Sequence, residues 1–125
     1  MISFSIVIIR PTYSVGGIFM NASEFQDWVR EYYKQRGWSD LDIFVRIGFL
    51  AEETGEVARA IRALEIGRDR PDEREETYNN NREELIGELG DVLGNVAVIA
   101  NKYDISLEEV FKAHTEKLND RYSVE

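Results

Sequence analysis

The sequence predicts an all-α protein, an antiparallel bundle of the four-helix type carrying a short β-like N-terminal extension. Three observations lead there. Beyond Met20, apolar residues recur at helical spacing in four segments. Those segments are bounded by residues that cap and stop helices. The connections between them are short, which favours antiparallel neighbours. With 125 residues the chain is long enough for one domain with a real core and too short for two.

The extension spans residues 1–22. It holds a β-like run, Ile6 to Ile9, then Arg10-Pro11 and the turn signal Gly16-Gly17. A lone strand cannot satisfy its own backbone, so this piece is expected to dock on another subunit. The helical domain is assigned to residues 23–125. Its first helix is expected to start at a Ser23–Gln26 capping box, to present Phe25, Trp28, Val29, Tyr32 and Tyr33, and to stop at Gly37. A long second helix is capped by Ser39 and runs through the glutamates to Leu64, with Gly67 beyond its end. Residues 68–80, rich in charge, containing Pro71 and running into Asn79-Asn80-Asn81, form the loop, with room for a helical turn near Glu73 to Tyr78. Asn81 with Glu84 opens a third helix to about Tyr103, and Ser106 with Glu109 opens a fourth to about Tyr122.

Composition narrows the function classes. The chain is 43% hydrophobic and 31% charged, the balance of a globular protein rather than a disordered one. It has no cysteine, which removes disulfides, thiolate nucleophiles and cysteine-based zinc sites. No apolar run is long enough to span a bilayer, and the first residues lack the basic start and cleavage site of a signal peptide, so cytoplasmic residence is expected. A net charge of −9 argues against a nucleic-acid polymer as partner. It leaves open a single nucleotide, whose phosphates reach carboxylates through bridging divalent cations.

Carboxylates in unusual places supply the sharpest signal. An ideal helix advances about 100° per residue, so with Glu52 at zero, Glu56 falls near ~40° and Glu53 near ~100°. Phe49, Leu50, Val57, Ala60 and Leu64 occupy ~60° to ~160°, which puts Glu53 in the middle of the apolar arc. On the third helix Glu84, Glu88, Asp91 and Asn95 share a stripe about 60° wide that borders Leu85, Leu89, Val92, Val96 and Ile99. One ExxE motif on a helix is ordinarily a solvated face. Two such sets beside apolar arcs, without lysines at matching spacing, point to a hard divalent cation between the helices, because unpaired carboxylates taken from water are costly. Mg²⁺ and Mn²⁺ take oxygen ligands and substrate phosphates, so the site could clamp a polyphosphate and activate water.

Other features fit around that cluster. A diiron bundle needs a histidine three residues after a ligand glutamate, and the single histidine, His114, follows Phe111 at that spacing, so it is given no role. Lys117 and Arg121 lie one turn apart, either as phosphate partners or as a solvated face. Gly87, Gly90 and Gly94 share one side of the third helix and are expected to permit close packing of a neighbouring helix or a second subunit.

The segments Leu50-Ala-Glu-Glu-Thr-Gly-Glu56, Glu88-Leu-Gly-Asp91-Val-Leu and Glu116-Lys-Leu-Asn-Asp-Arg121-Tyr resemble the ExxE, ExxD and KxxxR motifs of MazG-like nucleotide pyrophosphohydrolases, the all-α NTP pyrophosphatase superfamily. The resemblance covers about Ser23 to Tyr122. It implies Mg²⁺-dependent hydrolysis of a nucleoside triphosphate to the monophosphate and pyrophosphate, in a homodimer or homotetramer. It further implies Glu53, Glu56, Glu88 and Asp91 as metal ligands and Glu52, with Glu53, as catalytic, Glu52 either binding metal or orienting water. Asn95 would contact the nucleotide, and Lys117 and Arg121 would hold phosphates. Trp38 would stack on a base or fill the helix junction. The 31 residues between Glu56 and Glu88 exceed the usual family gap. Two alternatives stand beside this reading: a related enzyme acting on phosphoribosyl-ATP, and a non-catalytic acidic bundle that binds metal or protein.

Overall fold

A computed structural model describes residues 20–67 and 70–123. The β-like run, the Gly16-Gly17 turn and most of the assigned extension lie outside the described residues. The rest is helical: α1 (Ala22–Gln35), α2 (Ile43–Ile66), α3 (Tyr78–Lys102) and α4 (Leu107–Tyr122). Among the described residues no helix is long and apolar enough to cross a membrane.

The helices form where expected, but three of their four starts differ. Helix α1 is capped by Asn21, whose side chain accepts from the Glu24 amide while Glu24 reaches back in a capping box. Ser23 instead donates its hydroxyl to Glu108. Gln26 is only 4% exposed and points inward. Helix α2 is capped by Asp42, not Ser39. Helix α3 starts a turn before Asn81, with Thr77 as its cap, and the Asn81 side chain instead donates across the hairpin to the Ala63 carbonyl at 3.3 Å. Only α4 keeps its expected cap, the Ser106–Glu109 box.

Helices α2 and α3 make the largest contact and form an antiparallel hairpin. Ala63 near the end of α2 meets Asn81 at the start of α3, and Arg46 near the start of α2 meets Asn95 far along α3. Helix α1 lies along α3, and α4 packs mainly on α1. The buried core sits at that α1–α3–α4 end, built on Val29, Ala97, Val98, Ala100 and Leu107 with Phe25, Trp28 and Tyr33 against it. Gln26 closes the corner. Its amide donates to Asn101 Oδ1 at 2.9 Å and to the Ile105 carbonyl at 2.8 Å, and its oxygen accepts from the Leu107 amide at 2.8 Å.

Of the three aligned glycines, one is tightly packed. A Cβ at Gly94 would stand 2.7 Å from the Tyr33 hydroxyl, whereas Gly87 and Gly90 have open space within the protomer. Large apolar side chains also remain exposed on the outer face of the hairpin. Phe44, Ile47 and Ile61 occupy α2, and Ile86, Leu89 and Leu93 occupy α3.

Candidate active site

The end of α1 determines one wall of the site. Gly37 adopts φ +74°, which glycine tolerates without a Cβ penalty. The Trp38 amide then donates to the Tyr33 carbonyl and the Gly37 amide to Lys34, the paired bonds of a Schellman turn. This turn brings the Trp38 ring edge-on to Tyr33, with centroids 5.2 Å apart.

Helices α2 and α3 supply the acids. Glu53, Glu88 and Asp91 each offer a carboxylate oxygen, and these oxygens lie within 4.8 Å of one another. Glu53 and Glu88 are half-buried and Asp91 is exposed. The carboxylates therefore sit at the core's edge rather than deep inside it. Desolvation, followed by the charges of Asp91, Glu88, Glu52 and Glu56, holds the Glu53 carboxyl above its ordinary range. Glu88 is raised by desolvation and then by Asp91, Glu56 and Glu84, partly offset by a hydrogen bond with Glu53. No neighbouring cation offsets either shift.

That is a donor set suited to a hard cation: three clustered oxygens, no sulfur and no imidazole. Glu56 is half-buried beside the triad and pairs with Arg59 at 3.7 Å. Glu52 is exposed.

A cavity of about 300 Å³ opens directly beside Glu53 and Asp91. Tyr33, Trp38, Leu41, Phe49, Arg46 and Asn95 complete its lining. Trp38 is thus at once a wall of this cavity and a packing partner of Tyr33. Asn95 is 7% exposed. Its oxygen accepts from Arg46 Nη1 at 3.0 Å, and its nitrogen donates to the Asp91 carbonyl at 3.0 Å. Tyr33 titrates above its ordinary value, chiefly through burial, with Arg46 opposing the shift and Asp91 and Glu53 adding to it. A second cavity, of about 360 Å³, lies on the far side of Glu88 and Glu56. Its outer wall comes from the long loop, including Arg70, Asp72 and Arg74.

Lys117 and Arg121 are not brought to the triad. Both are exposed on α4, which packs on α1, and neither lines either cavity. His114 is exposed on the same helix.

Sequence reasoning missed Arg46, which is 6% exposed. The signal was present. Arg46 precedes Glu53 by seven residues, two helical turns, so it falls at ~120° on the same apolar arc. The test that singled out a carboxylate there applies equally to a cation.

Comparison with known proteins agrees with this architecture. YvdC of Bacillus subtilis (strain 168), a protein of uncharacterized function, is 52% identical over 103 residues, covering 82% of this chain and 97% of that one. The crystal structure of YPJD from Bacillus subtilis, a candidate pyrophosphatase, shares the fold with a TM-score of 0.59 at 24% identity. That match covers 86% of this chain and 98% of the other. The MazG nucleotide pyrophosphohydrolase domain matches residues 46–123, which contain the acidic triad, Arg46 and Asn95, and this chain therefore belongs to the MazG nucleotide pyrophosphohydrolase domain family.

Proposed function

We propose that the protein is a Mg²⁺-dependent nucleoside triphosphate pyrophosphohydrolase, with Mn²⁺ as the alternative ion. Water adds to the α-phosphorus, the α,β-anhydride bond breaks, and a nucleoside monophosphate and pyrophosphate leave. The observation that carries this reading is a carboxylate triad, two of whose members, Glu53 and Asp91, line an aromatic cavity of about 300 Å³. Glu53, Glu88 and Asp91, with Glu56 at the rim, would hold the cation. When bound, such an ion neutralises phosphate charge and makes water more acidic. The attacking water must lose a proton to a nearby base, and Glu52, adjacent to Glu53 in sequence and outside the triad, is assigned that task. The base end of the nucleotide goes to the cavity walled by Trp38, Tyr33 and Phe49, whose flat faces suit stacking. House-cleaning of nucleotide pools in the cytoplasm is the biological role this chemistry fits.

Lys117 and Arg121 are assigned to phosphate oxygens within a homodimer or homotetramer, where α4 of one copy approaches another copy's triad. Support for self-association comes from the apolar outer face of the hairpin, where Phe44 is 78% and Leu93 57% exposed. Gly87 and Gly90 on α3 leave room there for close approach.

Pyrophosphate release from a panel of NTPs, dNTPs and phosphoribosyl-ATP, with and without Mg²⁺, tests the reaction. Glu53→Gln and Asp91→Asn are expected to lower kcat/KM by at least ~100-fold. A wild type inert on every substrate returns the protein to the non-catalytic reading. Variants as active as wild type refute the site.

A further inference from the structure

Arg46 is a buried cation held away from the acids beside it. Among the described residues it makes no ion pair, although it lines the same cavity as Glu53 and Asp91. A flexible arginine free to swing would be drawn onto those carboxylates. Two acceptors prevent that. Nη1 donates to Asn95 Oδ1 at 3.0 Å and Nη2 to the Trp38 carbonyl at 2.5 Å. The guanidinium also lies over Phe49 and Tyr33, 5.4 and 5.9 Å from their ring centroids. A guanidinium carries five N–H donors, and these two bonds leave three unassigned. No nitrogen of Arg46 is both buried and without a partner, and its remaining N–H groups are available to a ligand acceptor that displaces water from the cavity.

We infer that Arg46 is the specificity-determining residue of this cavity, reading a nucleobase that carries a ring carbonyl oxygen, and that Asn95 is the positioning residue that holds it. The inference rests on the nucleotide reading above. Aromatic and aliphatic walls surround the guanidinium, and they favour a flat base over a strongly hydrated phosphate. A planar fork of donors matches adjacent acceptors such as guanine O6 and N7. Adenine offers an amino group where guanine offers O6, which sets donor against donor. Guanine, cytosine, thymine and uracil are therefore accepted and adenine is disfavoured. Asn95 acts through Arg46: its amide oxygen is spent on the guanidinium, and its nitrogen is anchored to the Asp91 carbonyl.

The test is calorimetric binding of dGMP, dCMP, dTMP and dAMP in the presence of Mg²⁺, which needs no turnover. Wild type is expected to bind the three oxo bases at least roughly tenfold more tightly than dAMP. Arg46→Lys keeps the charge and removes the fork, and should bring that ratio close to one while changing dAMP affinity less than threefold. Asn95→Ser, which keeps Arg46 and guards against a folding failure of the first variant, should reduce the ratio in the same direction by a smaller factor. The inference is overturned if wild type shows no preference or binds none of the four. It is equally overturned if neither variant alters the ratio, or if dAMP affinity falls in parallel, which marks a phosphate contact. Selective binding without hydrolysis of the triphosphates would uphold it while rejecting the proposed enzymatic activity.

Discussion

Gln26 and Glu53 show how much a single side chain's role depends on what faces it. Gln26 sits in a sequence pattern that reads as the far end of a capping box, yet its three hydrogen bonds tie α1 to the α3–α4 corner. Gln26→Ala should cost ~2–3 kcal/mol in a denaturant melt, because it strands the buried Leu107 amide and removes two of the bonds that tie α1 to Asn101 and Ile105. A loss below ~0.5 kcal/mol would mean that water replaces the side chain readily. Glu53 presents the opposite case, a group whose folded state resists its charge. Its proton affinity is raised by folding, so between the unfolded value of about 4.3 and the higher folded value the native state binds more protons than the unfolded chain. Stability of the metal-free protein should therefore fall as pH rises through that window, and Glu53→Gln should flatten the fall. Thermal melts from pH 4 to 7 in chelator check this. A wild-type melting temperature that climbs across the window would contradict it.

At the scale of elements, helix existence was legible and helix starts were not. Apolar spacing fixes the face a helix must bury, so all four segments were readable. Caps are local patterns that recur within one or two residues, and tertiary partners choose between them. Asn21 and Ser23 both open a capping-box pattern, and Asn21 wins once Gln26 is drawn into the core and Ser23 toward Glu108. Asn81 is not the cap because the helix already begins a turn earlier, where Thr77 caps it and its carbonyl accepts from the Asn81 backbone amide, leaving the Asn81 side chain to bond Ala63. The glycine row divides in the same way. Gly94→Ala places a methyl against the Tyr33 hydroxyl and should destabilise by about 1–3 kcal/mol, displacing a wall of the cavity. Gly90→Ala meets nothing within the protomer and should instead strengthen α3 by roughly 0.5–1 kcal/mol in the isolated chain. Equal melting temperatures for the two variants would show that Tyr33 yields without cost.

For the whole molecule, the decisive feature is an unburied surface. Phe44, Ile47 and Ile61 follow helical spacing along α2, and Ile86, Leu89 and Leu93 do so along α3. Fully burying one such side chain is worth roughly 1.5–3 kcal/mol, so a second hairpin laid against this face gains a substantial free energy. Wild type is expected to sediment as an assembly in sedimentation velocity, Phe44→Glu or Leu93→Glu to sediment as monomer, and Glu53→Gln to behave as wild type. Hydrolysis should fall with dissociation if α4 of another copy supplies Lys117 and Arg121. A wild type that sediments as a monomer at assay concentration would remove both expectations.

The sequence alone determined the all-α class, the order of the four helices and the acidic pairs on facing stripes, because helical periodicity records which residues share a face. It did not reveal which of those residues meet. Antiparallel pairing of α2 with α3 brings Glu53 to Glu88 and Asp91, and leaves Glu52 in solvent. Packing of α4 on α1 keeps Lys117 and Arg121 away from the triad of their own chain. The Gly37 turn carries Trp38 to the place where its carbonyl and Asn95 can hold Arg46. Periodicity is a property of one helix, whereas a site between helices depends on their relative placement, which packing alone decides.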